Sequence, residues 1–375
     1  MARIIEMAGH PSVYAGRLLA ECGHDVIRVE PPEGDALRRL GPYLGNRADV
    51  EHGAFHQFFN AGKRSMTLDV TSADGRGVWL DLVRAADAVI MSAPSGLTEG
   101  MLREINPRLV LVEVEGESEP ELCAYARAGL LSLTGQPEQP PVLMGGHVIY
   151  AATGLWVAQA TAAALLVQRI SGTGQVVKVD IQHCMEVFLD HAAAVYATTG
   201  RIVERTGSRG AVTAASGALP CADGFWMVSV SAAPDRWGKL MDWMQDPVLM
   251  ADPTLAEESG RAEKRGLVMD RIQAWSNGLK KFEGVAEAQR RGITASPVAT
   301  TLDLVDDPQL IDRGFLREVE HSEFGRMLFP VGASASLRNT TLSPAPMLGQ
   351  HTGEILTELG YGPSDQQMLR ERGVV

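Results

Sequence analysis

The stretch from Gln139 to Arg169, QPPVLMGGHVIYAATGLWVAQATAAALLVQR, carries no Asp, Glu, Lys or Arg before its last residue. Small residues (Ala151, Ala152, Gly154, Ala158, Ala160, Ala162, Ala163, Ala164) are interleaved with Leu155, Trp156, Val157, Leu165, Leu166 and Val167. A helix so composed is apolar on nearly every side and slim enough for a second backbone to approach, so it is expected to be buried. Its length also satisfies a membrane span, which takes roughly 20 apolar residues. Against a span stand Gln159, Gln168, Thr153, Thr161 and His147, the two prolines at its start, and the lack of any similar segment. A core helix is the reading carried forward.

The length of 375 residues exceeds what one hydrophobic core usually serves, so two domains are expected. A net charge of −12 argues against a broad nucleic-acid footprint, although a local basic pocket for an anionic ligand stays open. Cys22, Cys123, Cys184 and Cys221 are scattered without a C-x-x-C pair and read as reduced thiols of a cytoplasmic protein. The N-terminus, MARIIEMAGH, is strand-like rather than a basic targeting segment.

Taken in order, RIIEMA (Arg3–Ala8) predicts a strand, Pro11–Cys22 a helix, and DVIRVE (Asp25–Glu30) a second strand, which together make a βαβ unit of a parallel sheet. Gly9, Gly16 and Gly23 do not compose G-x-G-x-x-G, so Glu30 is a weak ribose ligand. Pro31–Asn60 reads as loop. Strands at Met66–Val70, Ala88–Met91 and Leu109–Val114 and a helix at Ala73–Ala85 continue the alternation of an open doubly wound sheet. After the apolar helix come a strand at Val176–Ile181 and a helix at Gln182–Ala194, then a glycine-rich linker at 200–217. A hairpin at Leu219–Val230 turns on Ala222-Asp223-Gly224, and helices at Arg236–Met244, Arg265–Trp275 and Lys281–Arg291 lead to Ile293–Val298, closing a smaller α+β domain. A turn near Glu323–Arg326, an extended LFPVGASASL and a short helix at Gly353–Tyr361 end the reading. The division expected is 1–199 for the first part of a large domain, 200–217 linker, 218–310 small domain, and 311–375 returning to the large one.

The residues alone say little about chemistry. Lys63 and Arg64 follow a glycine at the mouth of a strand, which suits phosphate contact as well as it suits a solvated turn. His52 and His56 lack the Glu of H-E-x-x-H and read as ordinary polar residues, so no metal site is expected. Ser208 and Ser216 lack the G-x-S-x-G elbow. Glu113, Glu115, Glu117, Glu119 and Glu121 read mostly as a solvated rim, with Glu121 set apart at the start of an apolar helical segment.

Several segments together resemble the class III CoA-transferase family, typified by formyl-CoA transferase and carnitine CoA-transferase. They are AGRLLAECGHDVIRVEPPEGD (Ala15–Asp35), FNAGKRSMTLD (Phe59–Asp69), INPRLVLVEVEG (Ile105–Gly116), ALLVQRISGTGQVVKVDI (Ala164–Ile181), DDPQLIDRGFLREVEHSEFG (Asp306–Gly325) and APMLGQHTGEILTELGY (Ala345–Tyr361). The resemblance implies an α/β fold: a Rossmann-like large domain built from both termini, a small inserted domain, and two subunits threaded like linked rings. It implies CoA thioesters as substrates with no tightly bound cofactor, and CoA contacts at His10, Pro11, Lys63 and Arg64. It also implies a nucleophilic Asp four residues before a glycine at the start of the apolar helix. That glycine is Gly154, and the matching position holds Tyr150. A phenol does not form the mixed anhydride and lies about 3 pK units from ionising at neutral pH. MSAPSGLTEGM (Met91–Met101) also lacks the Asn and Arg that the family places there.

The expectation is therefore a subunit without its own nucleophile, partnered by a homologous Asp-bearing chain in a heterodimer or heterotetramer. Benzylsuccinate CoA-transferase is similar in this respect. The alternatives are a self-sufficient transferase, alone or as a homodimer, that uses Glu121 or another acid; an isomerase of the α-methylacyl-CoA racemase type; and a CoA-binding protein without catalysis. No nucleic-acid or membrane partner is expected.

Overall fold

A computed structural model of the chain describes residues 1–7, 9, 12–92, 98–209, 213–230, 234–332 and 342–375. Two compact units emerge, one made of Met1–Leu130, Met144–Asp190 and Asp312–Val375, the other of Leu131–Leu143 and His191–Ile311.

The first unit opens with β1 (Arg3–Met7), α1 (Tyr14–Glu21) and β2 (Asp25–Glu30), followed by α2 (Ala54–Phe59) and β3 (Arg64–Thr67). Then come α3 (Ala73–Ala85), β4 (Ala88–Ser92), α4 (Glu99–Ile105), β5 (Val110–Glu115), α5 (Glu121–Arg127), α6 (Val148–Ser171) and β6 (Gln175–Asp180). The strands form one parallel sheet in the order β3-β2-β1-β4-β5-β6. That is the order of doubly wound dinucleotide-binding folds, with the direction of winding reversing between β1 and β4. Parallel strands covered on both faces must be apolar along their length. Accordingly Ile5, Ile27, Val29, Val89 and Leu111 are buried together with Trp79 and Leu82 of α3.

The α3 boundaries follow from local chemistry: the Ser72 hydroxyl accepts from Gly75 N–H, Asp74 sits in the first turn and Arg84 in the last. The C-terminal segment completes the opposite edge of the sheet. Asp69 N–H donates to Val374 O at 2.8 Å, Ser65 N–H to His351 Nδ1 at 3.1 Å and Thr67 N–H to Thr352 Oγ1 at 3.1 Å. Helices Thr352–Glu358 and Pro363–Glu371 bring Ile355, Leu356 and Leu369 into the same core.

The second unit carries an antiparallel three-stranded sheet, β7 (Ser216–Cys221), β8 (Gly224–Ser229) and β9 (Thr294–Pro297), in that order. Helices Pro234–Met244, Arg265–Ser276 and Lys281–Arg290 belong to it, and Trp226 is fully buried against Trp243 and Trp275.

Several expectations need correction. The segment at 31–60 is not all loop, since α2 forms there around buried Phe59 and His56. The third strand is shifted to Arg64–Thr67, because pairing with β2 begins at Ile27↔Arg64. Ser216 and Gly217 belong to β7 rather than to a linker, and 210–212 lie outside the described residues. The helix expected at Gln182–Ala194 is divided between Ile181–Glu186 and Asp190–Thr199. The extended LFPVGASASL falls in the strand Gly325–Pro330 only in part, since 333–341 lie outside the described residues.

The most consequential correction concerns α6. Ile149, Ala152, Gly154, Val157, Ala164 and Leu165 are buried, and a Cβ on Gly154 would stand 2.6 Å from Tyr14 Cβ, so α1 and α6 touch nearly backbone to backbone. Yet Leu155, Trp156, Leu166, Val167 and Ile170 are exposed, Ile170 by 79%. The helix is buried on one face only. It is long and apolar enough to cross a membrane, by length and composition alone.

Candidate active site

The resemblance places its nucleophile at the first turn of α6, so the site is built from there. His147 precedes the helix and Tyr150 lies in its first turn, their rings stacked at 5.1 Å. His147 Nδ1 is 3.4 Å from Glu121 Oε2, at the start of α5. The other Glu121 oxygen is buried with no hydrogen-bond partner among the described residues, as is the Tyr125 hydroxyl one turn along α5. Burial raises the pKa of the Tyr150 phenol, and the nearby Glu121 carboxylate raises it further; the same two causes raise that of Tyr125. Tyr150 is therefore held as a neutral phenol at ordinary pH.

On the far side of His147 an aromatic groove of about 350 Å³ is lined by Tyr14, Pro42, Ala54, Phe55, Phe58, Phe59, His147 and Ala151. Phe55 meets the His147 ring edge-on at 4.5 Å, and Phe59 meets Tyr150 at 6.4 Å.

A second cavity, of about 360 Å³, lies at the carboxyl ends of β1 to β4, lined by Gly9, Arg28, Glu30, Asp35, Asp69, Thr71 and Ser92 among others. Open α/β sheets accept ligands at this end of their strands. Here Arg28, Glu30 and Asp35 are matched internally, while Asp69 accepts from Thr71. Arg28 lies between Asp35 and Glu6, and Glu30 is forked by Arg38 at 2.7 and 2.8 Å. Burial raises the Asp35 pKa, but the attraction and hydrogen bond of Arg28 prevail and leave it at about 2. Glu117 accepts from Gly9 N–H at 2.8 Å and from the Ser12 and Ser92 hydroxyls. Beside the N-terminus of α1, where an anionic ligand would be drawn, the protein's own carboxylate is already seated.

Of the rest of the acidic run, Glu113 is buried and departs from the solvated-rim expectation, whereas Glu115 meets the exposed Lys178 at 3.2 Å and Glu119 the exposed Arg127 at 3.0 Å, as a rim would.

Both cations named from the sequence serve carboxylates of the fold. Lys63 is buried, its ammonium bonded to Glu6 Oε2 at 2.5 Å, Val13 O at 2.8 Å and Asn60 Oδ1 at 3.0 Å. Burial outweighs the pull of Glu6 and brings its pKa down to about 8. Arg64 contacts Asp25, Glu354 and Glu358. His10 and Pro11, like 93–97 of MSAPSGLTEGM, lie outside the described residues. No sequence signal announced the Glu117 clamp or the aromatic groove, because their members are distant along the chain.

His52 and His56 are structural. His52 Nδ1 pairs with Asp49 at 2.6 Å, while His56 is buried between Pro346 O and the Asn60 side-chain nitrogen. Burial pushes the His56 pKa well below its ordinary value. As pH falls through about 6.5 the unfolded chain gains a proton that the folded one refuses, so stability is lost toward acid. The slope expected from this one residue approaches ~1.4 kcal/mol per pH unit. Urea unfolding between pH 8 and 5 should show it, and His56→Gln should flatten the curve. An unchanged slope would show that His56 does not titrate in this way.

The sequence matches CoA-transferase family III over residues 2–352. It is similar to the succinyl-CoA:mesaconate CoA-transferase of Haloarcula hispanica, 29% identical with 93% of each chain covered. It is equally 29% identical to the succinyl-CoA:(R)-benzylsuccinate CoA-transferase subunit BbsE of Thauera aromatica, covering 100% of this chain and 97% of that one. Among solved structures it resembles a CAIB/BAIF family protein from Brucella suis, with a TM-score of 0.80, 26% identity, and coverage of 96% of this chain and 98% of that one.

Proposed function

The chain belongs to CoA-transferase family III, and from that premise we propose that it is the Asp-less member of a two-chain CoA-transferase. The complex would move CoA from an acyl-CoA, such as succinyl-CoA, to a carboxylic acid in the cytoplasm. One observation carries the reading: Tyr150 stands where the resemblance calls for the nucleophilic Asp, and burial and Glu121 hold its phenol neutral. A neutral phenol is a poor nucleophile and makes an aryl ester, not the mixed anhydride through which acyl group and CoA exchange. The Glu117 clamp supports the same reading, since an anionic group entering beside α1 would meet a resident carboxylate. Two relatives carry subunit names, BbsE and the alpha subunit of a succinyl-CoA–L-malate CoA-transferase.

The bare face of α6 supports a partner chain. Leu155, Trp156, Leu166, Val167 and Ile170 are all exposed, and Val187 lines one cavity with Trp156; an exposed apolar face of this kind marks a protein contact. In the proposal this face meets a homologous Asp-bearing subunit, within the interlocked arrangement that the resemblance implies. Co-expression with such a chain tests it. The two should co-purify, and Leu166→Glu with Ile170→Glu should release the partner while circular dichroism stays native. Normal CoA transfer by this chain alone would defeat the proposal.

A second reading rests on the unpartnered oxygen of Glu121 beside Tyr150. In it Glu121 forms the acyl adduct, and the chain works unaided. Mass spectrometry of the protein incubated with succinyl-CoA separates the two: a glutamyl adduct at 121 selects this reading, an aspartyl adduct on a partner the first.

A further inference from the structure

The position of Glu117 is set by the strand before it. β5 ends at Glu115, and Gly116 takes a φ of +89°, so the chain turns back across the carboxyl end of the sheet. Glu119 N–H closes that turn on Gly116 O at 3.1 Å. The next strands in the sheet are β4 and then β1. The Glu117 side chain meets Ser92, the last residue of β4, and then Gly9 and Ser12 in the loop after β1. The fit at Gly9 is close. A Cβ there would stand 3.1 Å from Glu117 Oε2, the oxygen that takes the Gly9 N–H at 2.8 Å.

Between β1 and β4 the winding of the sheet reverses. Open α/β sheets take phosphate-bearing ligands in the crevice at such a point. In this chain the crevice is the cavity of about 360 Å³ that has Gly9 and Ser92 on its wall. Three donors at that wall already converge on a carboxylate. Arg28, the one guanidinium among the described lining residues, is held by Asp35 and Glu6. An entering phosphate therefore finds these donors taken and a like charge in their midst, which is how a site rejects a ligand.

We propose that Glu117 is a specificity-determining residue, seated as a built-in substitute for a phosphate and barring phosphate-bearing ligands from this crevice. A ligand must displace the carboxylate first, so its apparent affinity falls by the fraction of molecules in which Glu117 is unseated. A mere strut between the exit of β5 and the ends of β4 and β1 makes a different prediction. Its removal lowers stability and brings no gain in binding.

The test titrates the full-length chain with pyrophosphate, with CoA and with pantetheine, which carries no phosphate, and follows binding by calorimetry. Glu117→Ala is expected to tighten pyrophosphate and CoA binding at least about tenfold and to leave pantetheine within about twofold. Glu117→Gln keeps the size of the side chain and its contact with Gly9 while removing the charge. It should shift both phosphate ligands in the same direction, and it decides the matter if circular dichroism shows that the alanine variant does not fold. A gain with pyrophosphate alone assigns the crevice to free phosphate, and a gain with CoA assigns it to a nucleotide-borne one. No gain in either variant, or an equal gain with pantetheine, would overturn the proposal. CoA transfer is not read in these titrations, so their failure leaves the argument from Tyr150 where it stands.

Discussion

Tyr150→Phe in this chain, assembled with an Asp-bearing homologue, is expected to leave kcat within about twofold of the parent complex. Asp→Asn at the matching position of the homologue should lower it by at least about a thousandfold. The asymmetry follows from what each atom does. A phenol held neutral by burial and Glu121 shares no bond with the acyl group, so losing its hydroxyl removes at most one polar contact. A carboxylate that becomes the anhydride has no substitute. Steady-state kinetics of the two variants, with the adduct traced by mass spectrometry, gives the answer. A thousandfold loss from Tyr150→Phe would place the chemistry on this chain after all.

The second large effect concerns stability. Lys63→Met should cost about 3–5 kcal/mol, because it leaves the Glu6 carboxylate buried without its closest cation. Against a typical total of about 5–15 kcal/mol, that is enough to shift a urea midpoint by a wide margin or to leave little folded protein. The cluster is closely built. Gly16 N–H donates to Glu6 Oε1 at 3.1 Å, and a Cβ on Gly16 would fall 2.3 Å from that oxygen, so only glycine leaves room for the carboxylate. Adding Glu6→Gln to Lys63→Met should recover much of the loss, since the neutral amide oxygen can still accept from Gly16 N–H while Arg28 keeps Asp35, and no unmatched charge stays buried. A single variant as stable as the parent would mean that the ammonium contributes nothing net to the folded state.

The sheet was legible where signals are local. Asp25–Glu30 and Ala73–Ala85 are found at the bounds expected, since one is a β-branched stretch (Val26, Ile27, Val29) that starts soon after Gly23 and the other has Ser72 as its cap. The helix Ala54–Phe59 was not legible, because AFHQFF lies between Gly53 and Gly62 and its three phenylalanines are drawn inward by contacts with distant α1 and α6. Pro363–Glu371 was missed although it begins with Pro at its first turn and has Asp365 near its start. Lys63 illustrates the limit at the site. A cation after a glycine looks the same whether it meets a ligand or a carboxylate 57 residues away, and that choice is made by tertiary packing alone. The exposed face of α6 is a limit of another kind, since composition reports that a surface is apolar and not which molecule covers it.

The edge of the sheet at β3 is closed by residues 342–375, which the ribosome makes more than two hundred residues later than the strand they complete. Until then the growing chain carries an open β-edge and the apolar floor that Ile355, Leu356 and Leu369 will cover. Synthesis of this protein thus has a long vulnerable interval, in which a chaperone or a neighbouring nascent chain finds the strand before its own tail does.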